Sequence, residues 1–240
     1  MEHAIVLKPE ILGFYKNLPI TNTLLVSWIV MTILTIFSLI ITFTVKTIPG
    51  RLQNLFEMII DFGYSTVEDL AKPKKAKIFF PIVMTFFFFI LFGNLLGLFP
   101  GFGTILYKGQ PILRSMNSDL NMTLSLALFS AFLTHAFALK YLGLLDYLKK
   151  WFTLNPIFLF VGLLELVGEL TKVVSLSFRL FGNIFAGEVV LSTISSIFAF
   201  IVPLPFYFLE IIVGFVQAAV FMMLTLVFMV LLSEKHAEQH

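Results

Sequence analysis

The sequence predicts an all-α integral membrane protein in which five helices span the bilayer and one amphipathic helix lies in the cytoplasmic interface. Of its 240 residues, 59% are hydrophobic and only 12% are charged, and the mean hydropathy is +0.99. Several runs contain no Asp, Glu, Lys or Arg and exceed the ~20 apolar residues that a helix needs to cross about 30 Å of hydrocarbon. This composition excludes an ordinary water-soluble domain.

The chain is predicted to form one membrane domain, 1–240, with an outer N-terminal segment at 1–16 and a cytoplasmic tail at 234–240. The predicted spans are 17–45, 78–99, 117–139, 156–200 and 206–233. The fourth span is longer than a perpendicular helix requires, so it must tilt or bend. Pro203 and Pro205 follow it and favour a tight reversal, because proline lacks a backbone N–H. We therefore expect the last two helices to form a long tilted hairpin.

Two shorter segments have the pattern of helices that lie in the membrane surface. Between 51 and 70, polar residues recur every three or four positions with apolar residues between them, which is typical of an interfacial amphipathic helix. The simplest interpretation of this helix is docking to the membrane, without a mechanistic role. The segment 141–151 has a similar pattern and is followed by Asn155-Pro156, which favours a turn.

The distribution of basic residues predicts the orientation of the chain. The loops after the first and third spans, together with the tail, hold ten Lys and Arg residues, whereas the opposite side holds four. Positive charge accumulates in cytoplasmic loops, so the N-terminus is predicted outside and the C-terminus in the cytoplasm. The first apolar run is too long for a signal peptide and lacks a small-residue cleavage site, so we expect it to be retained.

Composition also excludes several kinds of partner and site. The net charge of only +2 argues against a basic surface for nucleic acid. The chain has no cysteine, so it can form no disulfide, thiolate metal site or cysteine nucleophile. The four histidines form no HExxH motif, and none lies near His135; we therefore expect no metal and no cofactor. His135 itself is most simply a packing or hydrogen-bonding residue.

Six charged residues fall at apparent membrane depth, where a charge at a helix centre costs ~2.5–3.5 kcal/mol on insertion scales. They are Glu165, Glu169, Lys172, Arg179, Glu188 and Glu210. At this cost we expect them to have a function.

Helical phase sorts these residues into groups. One polar stripe follows a single face of the fourth span, because its members are three or four positions apart. The stripe consists of Glu165, Glu169, Lys172, Ser175, Arg179 and Asn183. Glu188 lies half a turn away from Arg179, and Glu210 and Gln217 share one face of the next helix. A hairpin would bring these groups together in two clusters, one on each side of Arg179.

Arg179 is the residue that constrains the function most. Arginine does not lose its proton in a protein, and the nearest acid on the same face, Glu169, is roughly 15 Å of helix rise away. Its counter-charge is therefore expected on another subunit. Carboxylates beside a fixed cation are also what a proton path needs. Gly182, Ala186 and Gly187 flatten the same helix and indicate either a close neighbouring helix or ordinary tight packing.

The run SLSFRLFGNIFAGE from Ser175 to Glu188 resembles the signature segment of subunit a of the F-type ATP synthase, the membrane stator that faces a rotating ring of c subunits. Three further pieces agree with this family: GNLLGLFP at 93–100, SDLN at 118–121 and Gln217-Ala218. The resemblance covers the chain from the first span to its end.

The resemblance implies roles for individual residues. Arg179 corresponds to the essential arginine and Gln217 to its glutamine partner. Glu188 and Glu210 correspond to the acids of an outer half-channel, that is, a water-filled path reaching only partway through the membrane. Asp119 and Asn121 match a region near the outer entrance.

On the inner side, Glu165 corresponds to the half-channel acid and Asn183 to a neighbouring polar residue. Glu169 and Lys172 lie on the same inner path, but Glu169 matches no standard role. Val173 stands where many members have proline, so the chain lacks the residue that would kink the helix there.

The implied function is that of the ATP synthase membrane stator, with two offset half-channels that couple proton translocation to c-ring rotation and ATP synthesis. Such a subunit has no nucleotide site and is not an enzyme by itself. The implied partners are the c-ring subunits, with a rotor carboxylate opposite Arg179, the stator subunit b and the lipid bilayer. The implied location is the plasma (inner) membrane of a bacterium.

Three alternatives stay open from the residues alone. A self-contained ion channel or secondary transporter is disfavoured because the chain shows no internal duplication. A membrane-embedded enzyme is disfavoured because the spans contain no HExxH, Asp-rich or Ser-His arrangement. In a purely structural subunit, Arg179 would form a static buried salt bridge.

Overall fold

Five long helices dominate the computed structural model, which describes residues 9–16, 18–99, 102, 105–107, 109–151, 156–197 and 201–234. The helices are α1 (Asn22–Thr44), α2 (Arg51–Gly97), α3 (Leu120–Leu142), α4 (Leu144–Trp151), α5 (Pro156–Ile197) and α6 (Pro203–Ser233). All except α4 are long and apolar enough to cross a membrane. The predicted all-α integral membrane protein with five spanning helices is therefore confirmed.

Parts of several predicted segments lie outside the described residues. They are 1–8 of the N-terminal segment, 198–200 at the end of the fourth span, 235–240 of the tail, and the turn residue Asn155. Within the described chain α3 extends from Leu120 to Leu142, whereas the span was predicted at 117–139. The first turn of that prediction is instead a 3₁₀ helix, Met116–Ser118.

Two short antiparallel hairpins precede α1 and α3 and were not anticipated from the sequence. The first pairs β1 (Ile11–Tyr15) with β2 (Leu18–Thr21), and the second pairs β3 (Leu106–Tyr107) with β4 (Gln110–Pro111). The first hairpin leads directly into α1, where the Thr21 hydroxyl accepts a hydrogen bond from the Leu24 N–H at 3.3 Å. This side chain satisfies one of the amide groups that a helix N-terminus leaves unpaired.

The amphipathic segment and the second span are two arms of α2 that meet at a break. Lys72 has φ 63° and ψ 155°, which is not helical, and Pro73 follows it. Proline disfavours the α conformation at the preceding residue by steric contact, which agrees with a break at Lys72. The interfacial helix predicted at 51–70 therefore corresponds to the arm that begins at Arg51, and the arm that contains the predicted span 78–99 begins at Pro73.

The main core lies where α2 and α6 pack against each other and against α3 and α5. Its largest fully buried side chains include Phe79, Ile90, Leu180 and Phe221. The face of α3 that enters this core carries only small side chains, which are Thr123, Ala127, Ser130, Thr134 and Ala138. Small residues at such an interface let helix backbones approach closely.

Buried hydroxyl groups join α3 to its neighbours. The Ser130 and Thr225 hydroxyl oxygens are 2.8 Å apart, which links α3 to α6. The Thr123 and Ser177 hydroxyl oxygens are 3.2 Å apart and link α3 to α5. These bonds satisfy polar groups that would otherwise lose their hydrogen bonds to water.

The 3₁₀ helix before α3 is pressed onto the end of α2. A side chain at Gly97 would meet the Ser115 Cβ at 2.7 Å. The missing side chain thus permits a close approach between the end of α2 and the segment from Ser115 to Ser118.

The break at Lys72 predicts an unusual response to glycine. Lys72→Gly should raise the unfolding midpoint of the purified chain by about 2–4 °C, because it removes about 1 kcal/mol of backbone strain. Lys74→Gly is the matched control, since this exposed lysine has ordinary helical geometry and glycine should destabilise it by about 1 kcal/mol. Thermal unfolding followed by intrinsic fluorescence measures both; equal destabilisation would contradict the break.

Candidate functional site

Arg179 lies on α5 with its side chain exposed. Within the part of the chain that the structure describes, no carboxylate lies within 4 Å of its guanidinium. The side chain borders an open groove of about 460 Å³ along α5, which Ser175, Lys172 and Phe228 also line. A permanent cation on an apolar helix is thus presented at the surface of the protein, without an acid of its own chain.

Gln217 lies one helix away and is 97% buried, since only 3% of it is exposed. Its Oε1 accepts a hydrogen bond from Asn183 Nδ2 at 2.8 Å, which joins α6 to α5. The sequence paired Gln217 with Arg179, whereas in the structure its hydrogen-bond partner is Asn183, one turn further along α5. Asn183 is therefore grouped with Gln217 and not with Glu165; the partnership of Gln217 with Arg179 and the place of Asn183 on the inner path stay predictions.

Glu210 is a buried carboxylate on α6. It packs against Gly187 of α5, where an added Cβ would overlap the carboxylate. Gly187 therefore makes room for an acid between the two helices. This contact also explains why a small residue is required at this point of α5.

Glu188 lies beside the 3₁₀ helix that precedes α3. It forms hydrogen bonds with the Ser118 side chain and the Ser115 backbone, and the charges of Arg114 and Glu210 act on it. The Arg114 Nε in turn donates to the Ser118 hydroxyl at 3.2 Å. Glu188 and Glu210 thus lie close to each other, on the side of α5 away from Arg179.

Arg114 and the serines beside it were not predicted as site residues. Arg114 was counted only as a loop charge, because nothing in the linear sequence indicates that its loop folds back against α5. The SDLN motif at 118–121 was the one available indication, since it includes Ser118.

Asp119 and Asn121 have a visible structural role at the start of α3. Asp119 caps the helix, with its Oδ1 accepting from the Asn121 N–H at 2.9 Å. Its Oδ2 accepts from the Thr23 hydroxyl at 2.9 Å, which ties α3 to α1. Asp119 is buried, whereas the Asn121 side chain is exposed; a role at an outer entrance stays a prediction.

Asn94 and Asn117 join the same outer region to α6. Asn117 Nδ2 donates to Asn94 Oδ1 at 2.7 Å, and Asn94 Nδ2 donates to the Gly214 carbonyl at 3.0 Å. Both asparagines are buried. Asn94 belongs to the GNLLGLFP motif, but its bonds could not be read from the sequence.

The N-terminal half of α5 holds a second group of charged residues. Lys172 Nζ forms an ion pair with Glu169 Oε1 at 2.5 Å, and lies 4.3 Å from the ring centre of Phe228 on α6. Glu165 is partly buried one turn earlier on the same helix. α5 runs without interruption past Val173, as expected where proline is absent.

His135 belongs to an aromatic cluster between the C-terminal part of α3 and α4. Its Nδ1 is 3.0 Å from the Tyr147 hydroxyl on α4, and its ring lies beside Trp151. This bond agrees with the interpretation of His135 as a hydrogen-bonding residue. Over the described ranges, no group of three His, Asp or Glu side chains is arranged to hold a metal ion.

These features define a multi-pass membrane protein with ionisable groups held among its spanning helices. A family model described as the ATP synthase A chain matches residues 24–230. Among the relatives, the ATP synthase subunit a of Trichlorobacter lovleyi is 34% identical over 86% of this chain and 85% of its own. That of Moorella thermoacetica is 33% identical over 88% and 90%, respectively.

The chain therefore belongs to the ATP synthase subunit a family, as its resemblance to that family predicted. Members of this family are proton-translocating subunits of the membrane sector, Fo. The helices that carry Arg179, Glu188, Glu210 and Gln217 all fall within the matched residues.

The contact between Gly187 and Glu210 predicts a selective packing defect. Gly187→Ala should lower the unfolding midpoint of the purified chain by at least about 2–4 °C, because overpacking costs about 1–3 kcal/mol. Gly168→Ala is the control on the same helix, because an added Cβ there meets nothing within 4 Å. If both variants unfold at the wild-type temperature, Glu210 does not occupy the space beside Gly187.

Proposed function

We propose that this chain is the stator that guides protons to and from a rotating c-ring through two offset half-channels, and so couples proton flow to ATP synthesis. The proposal concerns the assembled complex. By itself the chain is expected to catalyse no reaction and to bind no nucleotide.

Arg179 is the observation that carries the proposal. The guanidinium cannot release its proton, and its transfer to the bilayer centre costs ~2.5–3.5 kcal/mol even on the most lenient scale. Its exposed position leaves it open to a partner outside the chain. A carboxylate on a c subunit would supply the missing counter-charge, and a carboxylate that can also be protonated would be able to leave again.

The outer half-channel is assigned to Glu210 and Glu188, with Asp119 and Asn121 towards its entrance. Support comes from the positions of the two acids, which lie close to each other on the side of α5 away from Arg179. Arg114 and Ser118 extend the same polar region towards the segment before α3. A proton entering here would pass these groups before it reaches the rotor.

The inner half-channel is assigned to the side of α5 that carries Glu165, with Glu169, Lys172 and Asn183 along the same stripe. Support comes from the open groove that runs from Arg179 past Ser175 to Lys172. Glu165 and Glu188 lie at different heights and on different faces of α5, so no single face of this helix joins the two half-channels.

In the proposed cycle, a proton from outside neutralises a rotor carboxylate near Glu188 and Glu210. The neutral acid can then enter the lipid, because its desolvation costs far less than that of the ion. When it completes the circuit, Arg179 favours its ionised form and the proton leaves towards Glu165. Each proton that crosses the membrane contributes ~2.3 kcal/mol per 100 mV of potential.

The proposed setting is the plasma membrane of a bacterium, with the N-terminus outside and the C-terminus in the cytoplasm. The proposed partners are the c-ring, subunit b and the surrounding lipid. The relatives reported above come from bacteria, and the excess of Lys and Arg in alternate loops supports the orientation.

Arg179→Ala tests the central proposal. ATP synthesis driven by a proton gradient should fall by at least about 100-fold, because the rotor carboxylate loses its electrostatic partner. The amount of assembled complex should not change, since the side chain is exposed and makes no ion pair within the described chain. Lys140→Ala, which removes an exposed cation at the end of α3, is the control; near-normal synthesis in Arg179→Ala would refute the role.

Glu188→Gln tests the outer half-channel. ATP-driven proton pumping into vesicles should fall by on the order of 100-fold, which is the effect of removing one group that transfers protons. Glu57→Gln changes an exposed acid on the interfacial arm, where Gln53 Nε2 donates to Glu57 at 2.7 Å, and should leave pumping unchanged. Equal effects of the two substitutions would contradict the assignment.

A further inference from the structure

Glu169 and Lys172 were placed along the inner half-channel, but the cycle described above gives neither of them a proton-transfer step. Only 13% of the Glu169 side chain is exposed, against 34% for Lys172. The Lys172 ammonium is held between the Glu169 carboxylate at 2.5 Å and the face of the Phe228 ring. The two members of this pair thus have different surroundings. The carboxylate faces the interior, and the ammonium lies nearer the surface.

Two spaces meet at this pair. A small cavity of about 20 Å³ is lined by Glu169, Lys172 and the α3 residues Ser130 and Thr134. A water molecule needs roughly 10–15 Å³ of such space and two to four polar partners, and this cavity meets both conditions. Lys172 and Phe228 also line the open groove that reaches Arg179. The pair therefore stands between the groove beside Arg179 and a polar space inside the helix bundle.

Every element packed around Glu169 presents an identifiable group to it. Ser130 and Thr134 face the shared cavity from α3, Lys172 lies on α5 itself, and α6 contributes the uncharged Phe228. From α4, Tyr147 is near enough for the charge of Glu169 to act on it.

The Tyr147 hydroxyl also contacts His135 Nδ1, and it lies outside the spanning helices. Burial raises the pKa of Tyr147 above its usual value of 10.0; the Trp151 side chain opposes this shift, and the charge of Glu169 adds a smaller increase. The phenol is therefore protonated at neutral pH. Its proton can be donated in a hydrogen bond, and the ring nitrogen of His135 is an available acceptor.

We propose that Glu169 is a proton acceptor of the inner half-channel, which takes the proton released beside Arg179, and that the ion pair with Lys172 holds its carboxylate in position between transfers. The inference rests on the proposed function and adds a proton-transfer residue to it. The rotor acid loses its O–H proton and becomes a carboxylate opposite Arg179. Water in the groove carries that proton to Glu169, which becomes a carboxylic acid and then releases the proton to water on the inner side.

A purely structural ion pair is the alternative. It is a poor explanation by itself, because an ion pair with one partly exposed member contributes at most about 1 kcal/mol to stability. The two explanations differ in what happens when both charges are removed together. A structural pair requires only that the charges balance, whereas a proton acceptor requires the carboxylate.

The experiment measures ATP synthesis by the complete complex in membrane vesicles, with the amount of assembled chain determined in each preparation. Glu169→Gln and the double variant Glu169→Gln/Lys172→Gln should both lose synthesis by on the order of 100-fold, the contribution of one proton-transfer group. Glu169→Asp, which keeps a carboxylate, should retain most of the activity. Recovery of wild-type synthesis in the double variant would overturn the inference and leave a structural pair.

Arg179→Ala and Glu188→Gln in the same vesicles separate this inference from the proposed function. If they retain synthesis, the proposed function fails; if they lose it while Glu169→Gln is active, only the role of Glu169 fails.

A second measurement does not depend on activity. The chain has no cysteine, so Glu169→Cys introduces one thiol, and 2-aminoethyl methanethiosulfonate should label it from water much faster than Leu170→Cys on the exposed apolar side of α5. Equal or slower labelling at position 169 would show that water does not reach it and would overturn the inference.

Discussion

A charge that cannot be neutralised, held on an apolar helix, is the constraint on which the rest of this structure depends. Most polar side chains between the helices find partners inside the chain, as Ser130 does with Thr225 and Asn183 with Gln217. Arg179 differs, because in the described part of the protein it has no acid within ion-pair distance. The described bundle thus pairs most of its internal polar side chains but leaves this cation without an acid. That imbalance is tolerable only if something outside the chain corrects it.

The packing of the bundle follows from the need to place acids at some points of α5 and exclude them from others. Small residues on α3 let it approach α5 and α6, and the absence of a side chain at Gly187 leaves space for Glu210. On α5, most buried positions between the two acidic regions are apolar, with Leu180 fully buried and Leu176 and Ile184 each 4% exposed, and the buried Ser177 is paired with Thr123. The helix therefore carries its ionisable groups at separate heights, with a largely apolar interior face between them.

The sequence predicted the five spans because hydropathy is a local property that needs no knowledge of neighbours. Helical phase likewise placed Glu188 away from Arg179, since phase depends only on spacing along one helix. Phase could not give the relative height of two helices, and for this reason the hydrogen bond between Asn183 and Gln217 was not predicted. Contacts that depend on the path of a loop, such as Arg114 beside Ser118 and Glu188, were not predictable from periodicity. The break at Lys72 precedes Pro73, and proline disfavours the helical conformation at the residue before it.

The apolar face of α5 also bears on why a moving carrier is needed at all. A continuous chain of protonatable groups through the protein would let protons cross without rotating the c-ring, and on the interior side of α5 the apolar residues Leu176, Leu180 and Ile184 lie between Lys172 and Glu188. On the exterior side, Arg179 opposes the passage of another positive charge. In the proposed mechanism, the remaining way across is to travel as a neutral acid on a partner that rotates through lipid. Coupling is then a consequence of where this chain withholds polar groups as much as of where it places them.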